Sequence, residues 1–99
     1  MNIKSKKEGN KLIVYLEGRV DSITASTFEE YLQKNILELN ELELDFEKLE
    51  YISSAGLRVL LFAQKTMSNQ GGKMSVSHVN EDIMETFELT CFTDILTII

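Results

Sequence analysis

The feature that most constrains the fold is a change of pattern near the middle of the chain. From Leu42 to Phe46 apolar and acidic residues alternate, which is the period of a β-strand with one buried face. Shortly afterwards the chain reads Ser53-Ser54-Ala55-Gly56 and continues as a long apolar segment without proline, which predicts a helix. A strand that passes directly into a helix indicates an α/β sheet, and functional residues of such sheets commonly lie at the ends of the strands.

The rest of the chain supplies four further strands and two more helices. Gly9-Asn10 predicts a hairpin turn, and Gln70-Gly71-Gly72 predicts the end of the central helix. The expected helices are one that begins near Ser22 and ends near Leu39-Asn40, one from about Ala55 to Asn69, and one from about Glu81 to Leu89, followed by a last strand, Ile95–Ile99. Ser22 or Thr24 is expected to cap the first helix, with Ser26 and Glu29 at capping-box spacing.

The element order is therefore β-β-α-β-α-β-α-β. The Leu42–Phe46 strand is polar on one side, whereas a sheet covered by helices on both faces should be apolar on both. We expect a small mixed α/β sheet: an N-terminal antiparallel hairpin, then parallel β-α-β units joined by right-handed crossovers, with all helices on one face. A chain of 99 residues is enough for one domain, and we expect residues 1–99 to form it.

Composition argues against several classes of function. A net charge of −6 argues against nucleic acid as a partner, because phosphate binding needs a basic face. A single cysteine, Cys91, excludes an internal disulfide, and a single histidine, His78, argues against a protein-bound metal. No apolar segment follows Met1, and the longest apolar run, Val59–Ala63, is too short to cross a bilayer. We expect a cytoplasmic protein that has no cofactor and no membrane association.

Ser53 and Ser54 admit two interpretations. Serine is a favoured N-cap, so both can serve simply to begin the central helix. An exposed serine at this position can also accept a phosphate, which free backbone N–H groups at the helix N-terminus would tolerate. Asp21 lies between a strand and a helix on the same rim, where it caps a helix or contacts a partner. The central helix is apolar nearly all round, although packing on a sheet needs only one apolar stripe. Its other apolar residues are either buried between neighbouring helices or exposed as a binding surface beside Ser54.

Catalytic alternatives fit the sequence poorly. The hydrolase elbow Gly-x-Ser-x-Gly has Gly56 in place but Ile52 where the first glycine belongs. A triad of Ser54, His78 and Asp21 would lack a substrate pocket in so short a chain. Asp45 raises the possibility of an aspartyl-phosphate receiver domain, but the acidic pair and the late lysine of such domains are missing. We therefore expect no enzymatic activity.

Two motifs carry a resemblance to a known family. They are Gly18-Arg19-Val20-Asp21-Ser22 and the stretch Tyr51-Ile52-Ser53-Ser54-Ala55-Gly56-Leu57-Arg58-Val59-Leu60-Leu61. With the same element order over nearly the whole chain, they resemble the STAS domain, and more narrowly the stand-alone bacterial anti-sigma factor antagonists. The resemblance implies Ser54 as a phosphorylation site, with Ser53, which stands where many members carry Asp, as the alternative acceptor. The partner-binding residues that it implies are Asp21, Ser53, Ser54, Ala55, Gly56, Leu57 and Arg58.

The resemblance also implies a regulatory cycle that controls transcription. The unphosphorylated antagonist would bind an anti-sigma factor and so free the sigma factor. That partner would have a histidine-kinase-like ATPase fold and would act as a serine kinase on the antagonist, while a PP2C-type phosphatase would reverse the modification. The alternative is a STAS module that binds a different partner, or senses a nucleotide, without phosphorylation.

Overall fold

Five strands and three α-helices follow one another in the predicted order. The computed structural model describes residues 1–99. The elements are β1 (Asn2–Glu8), β2 (Lys11–Val20), α1 (Thr24–Asn35), β3 (Glu41–Ile52), α2 (Ser54–Asn69), β4 (Lys73–Ser77), α3 (Glu81–Leu89), a 3-10 turn (Phe92–Asp94) and β5 (Thr97–Ile98). None of the helices is both long and apolar enough to span a bilayer.

The strands lie side by side in the order in which they occur in the chain, β1-β2-β3-β4-β5. β1 pairs with β2 antiparallel, and all other pairs are parallel. Each crossover therefore moves one strand further in the same direction, and crossovers of one hand then place α1, α2 and α3 on the same face. The predicted mixed sheet with helices on one face is confirmed, and its parallel strands all end at one edge.

The core lies between the sheet and the helices and contains 25 buried apolar residues. On β2 the residues that alternate inward, Leu12, Val14 and Leu16, are buried, while Tyr15 on the other face is exposed. The three fully buried phenylalanines come from α1, β3 and α3; they are Phe28, Phe46 and Phe87. The helical stripes and the strand alternation thus meet in one core, which fixes the strand ends relative to the helix starts.

The boundaries of α1 differ from the prediction at both ends. Neither Ser22 nor Thr24 caps it, because the residue before the helix is Ile23, which has no capping side-chain bond; the carboxylate of Asp21 takes that role instead. The helix ends at Asn35 rather than near Leu39. Ile36 and Leu39 are nevertheless buried, because the chain that turns back toward β3 keeps its apolar residues against the core.

Most apolar residues of α2 are buried and do not form an exposed binding surface. Leu57, Val59, Leu60 and Ala63 are buried against the sheet and the neighbouring elements. Of the apolar residues in its first two turns, Leu61 is the one left exposed, with 39% of its surface accessible. The excess apolar character of α2 is therefore mostly core, and it does not form an exposed patch over the first turn.

Candidate functional site

The candidate site lies at the edge where the parallel strands end. Val20, the last residue of β2, is in register with Ile52, the last residue of β3. The Ser53 backbone N–H donates to the Val20 carbonyl oxygen at 2.8 Å, which ties the start of α2 to the end of β2. Asp21 and Ser53 therefore follow adjacent strand ends, and the predicted placement of Asp21 and Ser54 on one rim is confirmed.

Ser53 and Ser54 have different roles at the start of α2. Ser53 is the N-cap: its backbone is extended (φ −87°, ψ 174°), and its hydroxyl oxygen accepts from the Gly56 N–H at 3.3 Å. Ser54 is the first helical residue, and it is exposed, whereas Ser53 is half-buried. Capping thus engages one serine and leaves the neighbouring hydroxyl open to solvent at the positive end of the helix.

Gly56 is required by packing rather than by backbone conformation. A Cβ atom at this position would lie 2.6 Å from Ile52 Cγ1 and 2.8 Å from Val20 Cγ1, well inside van der Waals contact. Both neighbours are buried residues at strand ends. The missing side chain allows the first turn of α2 to sit directly on the ends of β2 and β3, which positions Ser54 at the rim.

Asp21 organises the turn between β2 and α1. Its Oδ1 atom accepts from the backbone N–H groups of Ile23 at 2.9 Å and Thr24 at 2.8 Å. These bonds favour the ionised carboxylate; donation from Thr24 contributes most, and together they lower the pKa of Asp21 below its ordinary value. The capping interpretation of Asp21 is thereby confirmed, and the residue presents a fixed negative charge at the rim.

A groove of about 310 Å³ opens between the N-terminal halves of α1 and α2. Its lining residues are Ser22, Ala25, Ser26, Glu29, Ala55, Arg58 and Val59. Arg58 and Glu29 bring opposite charges to it, but they form no ion pair with each other or with any other residue. The groove adjoins Ser54, and two of the predicted partner-binding residues, Ala55 and Arg58, line it directly.

Three residues at this edge were not singled out from the sequence. The Arg19 guanidinium lies 4.5 Å from the centre of the Tyr51 ring, an arrangement that gives a cation–π attraction. Tyr51 is 41% exposed and Ile23, next to the Asp21 turn, is 81% exposed. The register that places Arg19 opposite Tyr51 needs the strand pairing, so the sequence alone gave no signal for the pair.

His78 does not support the triad considered from the sequence. Its Nδ1 atom lies 3.2 Å from Oδ1 of Asp45, and the Asp45 carboxylate also accepts from the Glu47 backbone N–H at 2.9 Å. The donor atoms of Asp45, Glu47 and His78 lie within 4.8 Å of one another, so these are the residues that could hold a cation. The Asp45 carboxylate is thus the polar partner of His78, and no side-chain hydrogen bond joins either residue to Ser54.

The fold and this edge define a family. The model of the STAS domain matches residues 2–99, and the chain therefore belongs to the STAS domain family. The match covers both strand ends, the capped start of α2 and the groove between α1 and α2.

The individual relatives are regulatory proteins by name. BtrV of Bordetella bronchiseptica, provisionally described as an anti-sigma factor antagonist, is 31% identical over 99 residues, covering 99% of this chain and 85% of the relative. A structure from Thermotoga maritima with the same provisional description gives a TM-score of 0.91 at 21% identity, covering 97% of this chain and 84% of the other.

The anti-sigma factor antagonist SpoIIAA has been solved in an unphosphorylated form and, from Bacillus, in a phosphorylated form. The unphosphorylated form gives a TM-score of 0.78 at 12% identity, covering 99% of this chain and 87% of that one. The phosphorylated form gives a TM-score of 0.77 at 12% identity and covers 99% and 91%. At these identities the structural likeness establishes the fold.

Proposed function

We propose that this chain is an anti-sigma factor antagonist whose binding to its anti-sigma factor is controlled by phosphorylation of Ser54. The observation that carries the proposal is the separation of roles between two adjacent serines: Ser53 caps α2, while Ser54 is exposed. Membership of the STAS family supports the class of function. The names of the relatives, and the existence of SpoIIAA in a phosphorylated form, support this type of control.

The partner in this proposal is an anti-sigma factor with a histidine-kinase-like ATPase fold. The unphosphorylated antagonist binds it through Asp21 and residues 53–58, and the sigma factor is released to direct transcription. The partner also acts as a serine kinase: the Ser54 hydroxyl oxygen attacks the γ-phosphorus of ATP, ADP leaves, and the hydroxyl proton is lost. A PP2C-type phosphatase hydrolyses the phosphoserine. The chain itself acts in the cytoplasm as a single domain over residues 1–99, as a substrate and not as an enzyme.

The physical basis of the switch is a change of charge inside an interface. A phosphoserine adds about −1.5 to −2 charges near neutral pH. The positive end of α2 tolerates that charge, so the domain remains folded. At a docked partner surface, however, a mismatched charge costs several kcal/mol through repulsion and desolvation. Modification of Ser54 therefore releases the partner without unfolding the antagonist.

The test is phosphorylation by a candidate anti-sigma kinase with ATP, followed by mapping of the phosphate by mass spectrometry. We expect modification of Ser54, none in Ser54→Ala, and continued modification of Ser54 in Ser53→Ala. Ser54→Asp should weaken binding at least tenfold in calorimetry, while Ser54→Ala should bind like the parent protein. Modification of Ser53 that persists in Ser54→Ala would move the switch to Ser53. Binding that is the same in all variants, with no modification, would instead indicate a STAS module that works without phosphorylation.

A further inference from the structure

We propose that Arg58 is the phosphate-binding residue of this switch: once Ser54 is phosphorylated, the Arg58 guanidinium pairs with the phosphate within helix α2. This inference rests on the proposed phosphorylation of Ser54 and assigns a role to a residue that the proposed function treats only as part of the partner surface. Three observations carry it, namely the spacing of the two residues, the freedom of Arg58 and the charges around it.

The spacing places the two side chains together. Ser54 and Arg58 are four residues apart in the continuous helix Ser54–Asn69, and residues at this spacing are neighbours on one helix face, with Cβ atoms about 5–6 Å apart. Helical side chains also lean toward the N-terminus of their helix. The long Arg58 side chain can therefore reach back over the turn that carries Ser54, which is the direction a phosphate on Ser54 requires.

Arg58 is available for this role. It is exposed, and it forms neither a salt bridge nor a side-chain hydrogen bond in the unmodified protein. Arg19, the other arginine at this edge, already lies against the Tyr51 ring. A guanidinium binds a phosphate through two parallel N–H···O bonds, which makes it a stronger and more directional partner than an ammonium group.

The surrounding charges determine what the pair does to the surface. Two carboxylates belong to this region: Asp21 lies at the rim, and Glu29 lies in the groove that Arg58 also lines. Before modification the groove carries one positive and one negative side chain, Arg58 and Glu29. After modification the guanidinium is neutralised by the phosphate, and the groove retains an unbalanced negative charge. Phosphorylation therefore changes the rim and the groove together, although only one atom is modified.

The experiment uses phosphoserine placed at position 54 during translation, so that it needs no kinase. The second pKa of the phosphate is followed by phosphorus NMR in the parent, in Arg58→Gln and in Arg58→Lys. Lys65→Gln is the matched control, because Lys65 is an exposed cation of the same helix, almost two turns beyond Arg58. A direct pair should hold the phosphate pKa down, and Arg58→Gln should raise it by about half a pH unit. Arg58→Lys should raise the phosphate pKa less than Arg58→Gln does.

The outcomes separate the two proposals. Equal titration curves for Arg58→Gln and Lys65→Gln would overturn the pairing and leave the phosphorylation of Ser54 intact. Failure of the kinase to modify Ser54 would contradict the proposed function, but it would not alter the titration of the installed phosphoserine. Thermal unfolding of the unmodified Arg58→Gln protein should match that of the parent, because Arg58 forms no salt bridge in the unmodified protein. Matching curves exclude a loss of folding as the cause of a change in the phosphate pKa.

Discussion

At the scale of single residues, Ser53 and Ser54 are distinguished by what each substitution costs. Ser53→Ala removes the hydroxyl oxygen that accepts from the Gly56 N–H, and loss of an N-cap costs about 1 kcal/mol of the free energy of unfolding. Ser54→Ala removes an exposed hydroxyl and should change it by less than about 0.5 kcal/mol. Urea denaturation of the two variants measures the difference, and equal values would show that Ser53 is not the cap that stabilises α2.

A second prediction at the scale of single residues concerns Gly56. The sign of the stability change in Gly56→Ala shows whether helix propensity or packing dominates at this position. In an unconstrained helix, glycine to alanine stabilises by about 0.8–1.0 kcal/mol. Here the added Cβ would meet Ile52 Cγ1 at 2.6 Å and Val20 Cγ1 at 2.8 Å, and overpacking of this kind costs about 1–3 kcal/mol. We expect Gly56→Ala to be destabilised in denaturant unfolding. Adding Ile52→Ala should cost less in the Gly56→Ala background than in the parent, because it removes the closest clash.

At the scale of elements, Asp21 links the stability of the β2–α1 turn to pH. The pKa of Asp21 is lowered in the folded chain by hydrogen bonds from Thr24 and Ile23. A carboxyl group with a lowered folded pKa stabilises the fold above its unfolded pKa, and this contribution is lost as the pH falls through the folded pKa. Asp21→Asn keeps an acceptor oxygen but removes the charge. The parent should therefore be more stable than Asp21→Asn at neutral pH, and the gap should narrow in acid below the ordinary range of an aspartate.

The control for this prediction is Glu30→Gln, which removes an exposed carboxylate from α1 that no salt bridge engages. Unfolding midpoints in urea across the acidic range give the comparison. A gap between the parent and Asp21→Asn that stays constant down to strongly acidic pH would contradict the linkage. So would a gap that Glu30→Gln reproduces, because it would then reflect net charge and not the capping bonds.

Both ends of α1 differ from the prediction made from the sequence pattern. Ile36 and Leu39 are buried although the helix ends before them, because a periodic apolar pattern reports burial and not backbone conformation. The cap was assigned to Ser22 or Thr24, whereas Asp21 forms it. Which of several polar residues reaches the free N–H groups depends on the exact path of the turn, and that path is set by the pairing of β2 with β3.

At the scale of the whole molecule, the order of the strands forms the candidate site. Because β2, β3 and β4 are parallel neighbours, the segments that follow them meet at one edge, which brings Asp21 beside Ser53 although they are far apart in the chain. The sequence predicts this meeting from the β-α-β pattern alone. The pairs between strands, Arg19 with Tyr51 and Asp45 with His78, depend on register and on the turns after the strands, which local patterns do not determine.

A reversible switch requires that the modified protein keep its whole fold, and helix α2 allows a sharp test of this requirement. Ser54 and Ser68 are exposed serines in the first and last turns of α2. A negative charge is favourable at a helix N-terminus and unfavourable at its C-terminus, by about 0.3–1 kcal/mol in each case. Ser54→Glu should therefore unfold at or slightly above the temperature of the parent, and Ser68→Glu below it.

Partner binding should follow the opposite order: Ser54→Glu should bind more weakly than Ser68→Glu, because only Ser54→Glu places its charge at the strand-end edge. Calorimetric unfolding and binding of the two variants test both halves, and a Ser54→Glu protein that loses partner binding only because it has lost stability would contradict the mechanism.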